Sequence, residues 1–362
     1  MNEAENRPSE QAEITREEKR ERRIRRIRRG AIVAFVFFIL FLLVYGAYDY
    51  AFVCRIPRGT TIVDSEARPY APCFDYFFET KSEVNPYFGA WIKKLRPYLY
   101  YRRYVVPDGA TEIGGFAFSY YRMMRSIRIP DSVTMIGAYA FSDCQNLGEI
   151  RIPDSVRTIQ HNAFSGCRSL KKIVIPSGVR VIEDEAFRGC ESLEEVVLQA
   201  GVEFIEPQAF CDCKNLKRIV LPDGVTCIGS EAFQGCESLK EIALPESLKE
   251  IEWDAFRDCK NLKRIELPDS VTTIGRHAFS GCTSLREVVL PDSLETIERD
   301  AFLHCSALER IVIPPKVKKI EFGTFTCCYS LKDVEFRSSD TLVNRGAFLD
   351  TPVPPEKIPY EE

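Results

Sequence analysis

Residues 210–233 read FCDCKNLKRIVLPDGVTCIGSEAF, and residues 233–256 read FQGCESLKEIALPESLKEIEWDAF. Laid one over the other, they keep Phe, Cys, Leu, Ile and Pro at the same places, 23 residues apart. The register runs on in both directions. Phe118, Phe141, Phe164, Phe187, Phe210, Phe233, Phe256, Phe279, Phe302, Phe325 and Phe348 are each 23 residues from the next, with no insertion. Five residues before each stands an isoleucine, from Ile113 to Ile320, and then Val343. Three residues after stands a cysteine, from Cys144 to Cys328, and six after a leucine, from Leu147 to Leu331. The unit is therefore I/L-P-x-x-V-x-x-I-x-x-x-A-F-x-x-C-x-x-L-x-x-I-x. Self-similarity at a fixed period of this size is the mark of a repeat architecture.

Within a unit, Ile219 and Leu221 are two apart and so face the same side of a short strand. Pro222 has no N–H to donate and ends the pairing. Phe210, Cys213 and Leu216 are three apart, which predicts one tight helical turn with its apolar side inward. A single unit has too few apolar side chains to bury them alone, so units must stack on their neighbours. The expected fold is an α/β repeat solenoid of about eleven 23-residue units, each a short strand plus a helical turn. At a strand spacing of roughly 4.8 Å it would form a rod on the order of 50 Å long.

This unit resembles a leucine-rich repeat, specifically the 23-residue BspA-like class found on microbial cell surfaces. The L-x-x-L-x-L strand motif matches Leu147-x-x-Ile150-x-Ile152 and Leu262-x-x-Ile265-x-Leu267, and A-F-x-x-C matches Ala163-Phe164-x-x-Cys167. The likeness covers about residues 106–349. One departure is that Ser155, Gly178, Gly224 and Ser270 stand where an asparagine usually follows the strand, so no asparagine ladder is assumed. The resemblance implies a surface adhesion or recognition module, but the fold alone does not determine the ligand.

Ahead of the repeats, residues 30–48 (GAIVAFVFFILFLLVYGAY) carry no charge. A helix of that length covers roughly 28 Å, close to the hydrocarbon thickness of a bilayer. RERRIRRIRR precedes it and Asp49 follows, so the positive-inside rule leaves the N-terminus in the cytoplasm and exports the repeats. A cleaved signal is the competing reading, but small residues do not sit at an A-x-A-like site after the apolar core. The arginine run at 16–29 reads as the charge cluster beside such an anchor. The expected organisation is a basic cytoplasmic tail (1–29), one transmembrane signal anchor (30–49), an aromatic-rich membrane-proximal region and N-terminal cap (50–105), the solenoid (106–349) and an extended C-terminal tail (350–362). Atypical residues mark the end units as caps. Tyr121 and Met124 replace Cys and Leu in the first, and Thr351 replaces Cys in the last.

The chain has 49 Lys/Arg against 53 Asp/Glu; removing those of residues 1–105 leaves 30 against 40 for residues 106–362. An acidic body of this kind is a poor nucleic-acid binder. Of 14 cysteines, nine share one column. Parallel stacked side chains suit neither disulfide geometry nor the converging ligands of a zinc site, so buried free thiols are expected. Cys54 and Cys73 are nominated as the one bridge. Phosphate-loop, HExxH and nucleophile-elbow motifs do not occur, and His161, His277 and His304 fall in different columns. No catalysis, cofactor or metal is expected. Outward strand positions carry what functional signal there is. One column, from Glu149 and Lys172 to Arg310 and Asp333, alternates in sign at every turn and stabilises itself. The next contains Val174, Val197, Val220, Ala243, Val289 and Val312. These six form either a partner-binding stripe or an ordinary outcome of valine's strand preference. The expected function is a membrane-anchored surface protein binding a protein or host-matrix ligand through this face. The alternatives are an envelope spacer with no specific ligand and the ligand-binding part of a signalling complex.

Overall fold

Two places in the unit form strands, one on the alternating Leu-x-x-Ile motif and a shorter one at the isoleucine before Ala-Phe. The structure, a computed structural model, describes Val53–Arg55, Ile62–Val63 and residues 103–360. The first strand lies on the Leu-x-x-Ile motif, as in Lys172–Ile175, Glu195–Leu198 and Arg218–Val220. Ile219 and Leu221 turn inward and are buried, as their spacing predicts. The second strand has two residues and carries the isoleucine before Ala-Phe, as in Phe204–Ile205, Cys227–Ile228 and Glu250–Ile251. Both pair in parallel with their equivalents one turn away: Val196 with Ile219, and Ile205 with Ile228. The second ladder runs unbroken through eight strands, from Val181–Ile182 to Leu342–Val343. The first is divided into shorter sheets, and residues 241–245 form no strand. The result is a parallel β-solenoid of about ten turns.

The third side corrects the expected helical turn. Phe210, Cys213 and Leu216 do point inward, but the backbone that carries them is a run of stacked turns. From Phe118 to Phe325, residues on both sides of each phenylalanine hold positive φ: Tyr139 at 56° and Asp143 at 56° in one unit, Gln208 at 56° and Asp212 at 58° in another. A right-handed helix cannot pass through such residues. The N–H groups then divide between two partners. Tyr139, Phe141 and Asp143 donate forward to the carbonyls of His161, Ala163 and Ser165, while Ala140, Ser142 and Cys144 donate back within their own turn. All three sides of the coil are thus hydrogen-bonded to the next coil, which leaves no room for a helix of greater diameter.

The core is a set of columns. The phenylalanine rings stack from Phe118 to Phe348 with centroids 5.0–5.5 Å apart. The cysteine column is buried and unbridged. Each thiol donates to the phenylalanine carbonyl of the preceding turn, as Cys167 Sγ does to Phe141 O at 3.2 Å. That carbonyl already accepts from Cys144 N at 3.1 Å, so the thiol occupies its second lone pair. Serine does the work expected of an asparagine after the strand. Ser155 Oγ donates to Val133 O at 2.6 Å, and Ser247 Oγ to Val225 O at 2.6 Å. Asparagines just before the leucine column, Asn146, Asn215 and Asn261, bond carbonyls one turn back in the same way.

The solenoid begins earlier than the unit pattern suggested. Val53–Arg55 pairs with Arg103–Val105, and Ile62–Val63 with Glu112–Ile113, so both ladders already exist at residues 53–63. At the other end the tail does not lie extended. Val353 and Ile358 are buried, Pro355–Lys357 makes a 3₁₀ turn, and Tyr360 bridges to Val343. The apolar segment 30–49, the rest of the aromatic-rich region and the Cys54–Cys73 bridge lie outside the described residues. Among the described residues no helix is long and apolar enough to cross a membrane.

Candidate partner-binding face

The first ladder turns every second side chain outward, giving two exposed columns on one flat face. In the charged column the expected attraction is present. Lys172 Nζ is 2.9 Å from Glu195, Arg264 Nε 3.5 Å from Glu287, and Arg310 Nε 3.2 Å from Asp333. The hydrogen bond from Lys172 holds the Glu195 carboxyl below the ordinary glutamate range. These contacts are solvent-exposed, so each contributes little to stability.

The apolar column is less uniform. Val174, Val197 and Val220 lie side by side on three successive paired strands. Val220 is 62% exposed and Val174 38%, whereas Val197 between them is half-buried. Ala243 is exposed one turn further on, in the coil that forms no strand. Glu266 then interrupts the stripe, with its carboxylate 3.1 Å from Arg264. Beyond it Val289 is 36% exposed and Val312 half-buried. The six positions therefore make one patch of four and a second of two, with a salt bridge between them.

Other features of the surface follow from columns whose residue type varies. Glu183, Glu252 and Glu298 accept the backbone N–H of His161, Ser230 and Arg276 on the preceding turn. Their role is to cap donors that the turn leaves open. Phe116 stacks on Tyr139 at 4.8 Å, and the Arg299 guanidinium lies 5.1 Å over the Phe322 ring. Trp253, Phe322 and Tyr329 are exposed on the turn side. Sequence reasoning missed them because no period marks these positions. His277, Asp300 and Arg299 form a small polar cluster, with His277 Nε2 3.4 Å and Arg299 Nε 3.0 Å from Asp300. Burial pushes the His277 pKa down. Among the described residues no group of side chains is arranged to hold a metal ion.

Against this geometry, the model of the BspA type leucine rich repeat region matches the chain in six copies, over residues 101–217, 203–320 and 249–359. The chain belongs to that family. Leucine-rich repeat proteins of this kind are suited to protein–protein interaction. None of the curated proteins matches the chain. Among solved structures it is similar to a leucine-rich repeat protein from Bacteroides ovatus, at 28% identity and a TM-score of 0.43, over 70% of this chain and 87% of that one. It is similar to a leucine rich cell surface protein from Faecalibacterium prausnitzii, at 28% identity and a TM-score of 0.43, over 68% of this chain and 82% of that one. A leucine-rich repeat protein from Eubacterium ventriosum matches at 19% identity and a TM-score of 0.47, over 70% of this chain and 83% of that one.

Proposed function

We propose that this BspA-type repeat protein is a single-pass, membrane-anchored surface protein that binds a protein partner through the first-ladder face and performs no catalysis. The observation that carries the reading is the stripe Val174–Val197–Val220, three valines in register on an open sheet face, extended by exposed Ala243. Folding does not require Val at outward positions, since Arg128 and Glu335 occupy the same column. Contiguous apolar surface of this kind is characteristic of interaction sites. Residues 30–49, with the arginine run before them, support an N-terminus in the cytoplasm and the repeats outside.

The test pairs topology with binding. Protease applied to intact cells is expected to remove the repeats and leave the N-terminal tail protected. Asp substitutions at Val197, Val220 and Val289 are expected to abolish capture of the surface partner while leaving the circular-dichroism melt intact. Capture unaffected by all three substitutions would refute the binding face. A second reading, a spacer with no ligand, is favoured by the charged column, in which Lys172 pairs with Glu195, Arg264 with Glu287 and Arg310 with Asp333. Failure of the wild-type repeats to enrich any surface or matrix protein above a scrambled-surface control would select it.

A further inference from the structure

The residue just before the charged column forms a third row, at the edge of the same face. It reads Lys171, Glu194, Lys217, Lys240, Lys263, Arg286, Glu309, Lys332. Its members sit directly over one another: Glu194 N donates to Lys171 O at 2.8 Å, Lys217 N to Glu194 O at 3.0 Å, Lys263 N to Lys240 O at 3.0 Å, and Arg286 N to Lys263 O at 2.9 Å. At both ends the row alternates in sign, as the neighbouring column does throughout. In the middle it does not, and Lys217, Lys240, Lys263 and Arg286 put four like charges on four consecutive turns, all exposed.

Like charges in adjacent strand positions oppose folding, so fold stability accounts for the alternation and not for this run. Among the described residues local acids neutralise only the first of the four, Lys217. Glu194 is held by Lys217 at 2.7 Å, Glu237 by Lys260 at 2.9 Å, and both Glu266 and Glu287 by Arg264 at 3.1 and 3.5 Å. Among the described residues Lys240, Lys263 and Arg286 have no ion-pair partner. A positive row thus stands on a body whose residues 106–362 are acidic overall. It flanks Val220, Ala243 and Val289, each three residues further along its own turn. It also runs past the coil 241–245, where the first ladder forms no strand.

We infer that this row recognises an acidic polypeptide segment laid along the solenoid axis, with its carboxylates on Lys240, Lys263 and Arg286 and its apolar side chains on the valine stripe. The assignment rests on the binding face proposed above and adds the chemistry of its partner. An extended peptide suits both features at once, because it presents charge and apolar surface on opposite sides of one strand.

The test uses the full-length chain in a nonionic detergent and a fluorescein-labelled peptide of alternating Glu and Val, with an alternating Lys and Val peptide as control. The Glu–Val peptide is expected to bind and the control not to. Affinity should fall with rising salt, because surface charges are screened. The triple variant Lys240→Glu/Lys263→Glu/Arg286→Glu should weaken binding by about tenfold or more. The single variant Lys263→Glu puts an acid between Lys240 and Arg286 and removes two of the three like-charge neighbours, so it should weaken binding and raise the melting temperature together. Equal binding by wild type and triple variant, or preference for heparin over the Glu–Val peptide, would overturn the inference. Loss of binding in Val220→Asp with the row intact bears on the valine stripe alone, so the two readings fail separately.

Discussion

Alkaline pH should unfold this protein, and the cysteine column should be the cause. A buried thiolate is disfavoured because the core cannot solvate it. Burial pushes Cys144, Cys190 and Cys328 up to about 12 from 9.0, and Cys167, Cys213, Cys236, Cys259, Cys282 and Cys305 also move up strongly. In the unfolded chain the same thiols ionise near 9.0. Below that pH both states hold their protons and stability does not change. Between about 9 and 12 the unfolded state has released protons that the folded state keeps, so stability falls as pH rises. The slope approaches about 1.4 kcal/mol per pH unit per thiol.

At pH 10 each thiol therefore costs about 1.4 kcal/mol, and nine together on the order of 12 kcal/mol. That is comparable with the whole stability of an ordinary domain. The assay is urea denaturation followed by far-UV circular dichroism at pH 8 and pH 10, with a reductant present. Lysine and tyrosine titrate in this range too, so the comparison is with Cys236→Ala/Cys259→Ala. The double variant is expected to start lower at pH 8, because each truncation opens a small cavity. It should then lose about 3 kcal/mol less than wild type on going to pH 10. An equal pH loss in both proteins would refute the mechanism. So would thiols that become alkylated in the denatured chain only after reduction, because they would already be disulfides.

Phe233 stacks on Phe210 at 5.5 Å and Phe256 at 5.3 Å, whereas among the described residues Phe348 stacks on one ring, Phe325 at 5.0 Å. Phe233→Ala should therefore cost about 4–5 kcal/mol and Phe348→Ala about 3 kcal/mol in chemical denaturation, and equal costs would count against nearest-neighbour stacking. A Cβ at Gly275 would lie 2.6 Å from the Glu252 carbonyl carbon, so Gly275→Ala should destabilise by about 2 kcal/mol, read as a fall in the melting temperature. Arg264→Glu sets a third acid beside Glu266 and Glu287, now 3.1 and 3.5 Å from the guanidinium. It should lower stability by about 1 kcal/mol or less at low ionic strength and by almost nothing in 1 M NaCl, and a salt-independent loss would contradict the surface origin of that cost.

The columns that hold the fold were legible because each repeats without a gap. A residue whose partner is its own equivalent one turn away must satisfy the same contact on every turn, so Phe, Cys, Leu and Ile recur and their inward direction can be read from spacing. Two things were not legible. The second strand is only two residues long, and its outward member changes from Thr158 to Val181 to Phe204 to Cys227, so no alternation could develop to reveal it. Around Phe a spacing of three fits both a helix and a chain of tight turns. Only the positive φ at positions such as Tyr139 and Asp143 separates them, and Tyr, Gln and Glu at such sites give no warning in sequence. The early start of the solenoid was within reach. Ile56-Pro57 followed seven residues later by Val63 repeats the spacing of Ile129-Pro130 and Ile136, with Thr60 in the valine place.

The same logic divides what this chain can say about its partner. Columns that stack on themselves are under one constraint, contact with an identical neighbour, and they converge on one residue type or on alternating charge. A position shaped by a ligand answers to something outside the stack, so it should break whichever rule its column follows. Val220 is apolar and 62% exposed on a face that elsewhere accepts Arg128 and Glu335, and the run from Lys217 to Arg286 departs from sign alternation. The two features coincide on these turns, around residues 241–245, where among the described residues the first ladder loses its strand. Relief of backbone pairing, exposed apolar surface and uncompensated charge each reduce the stability of those turns. Their coincidence in one place is the ground on which the binding site is proposed there.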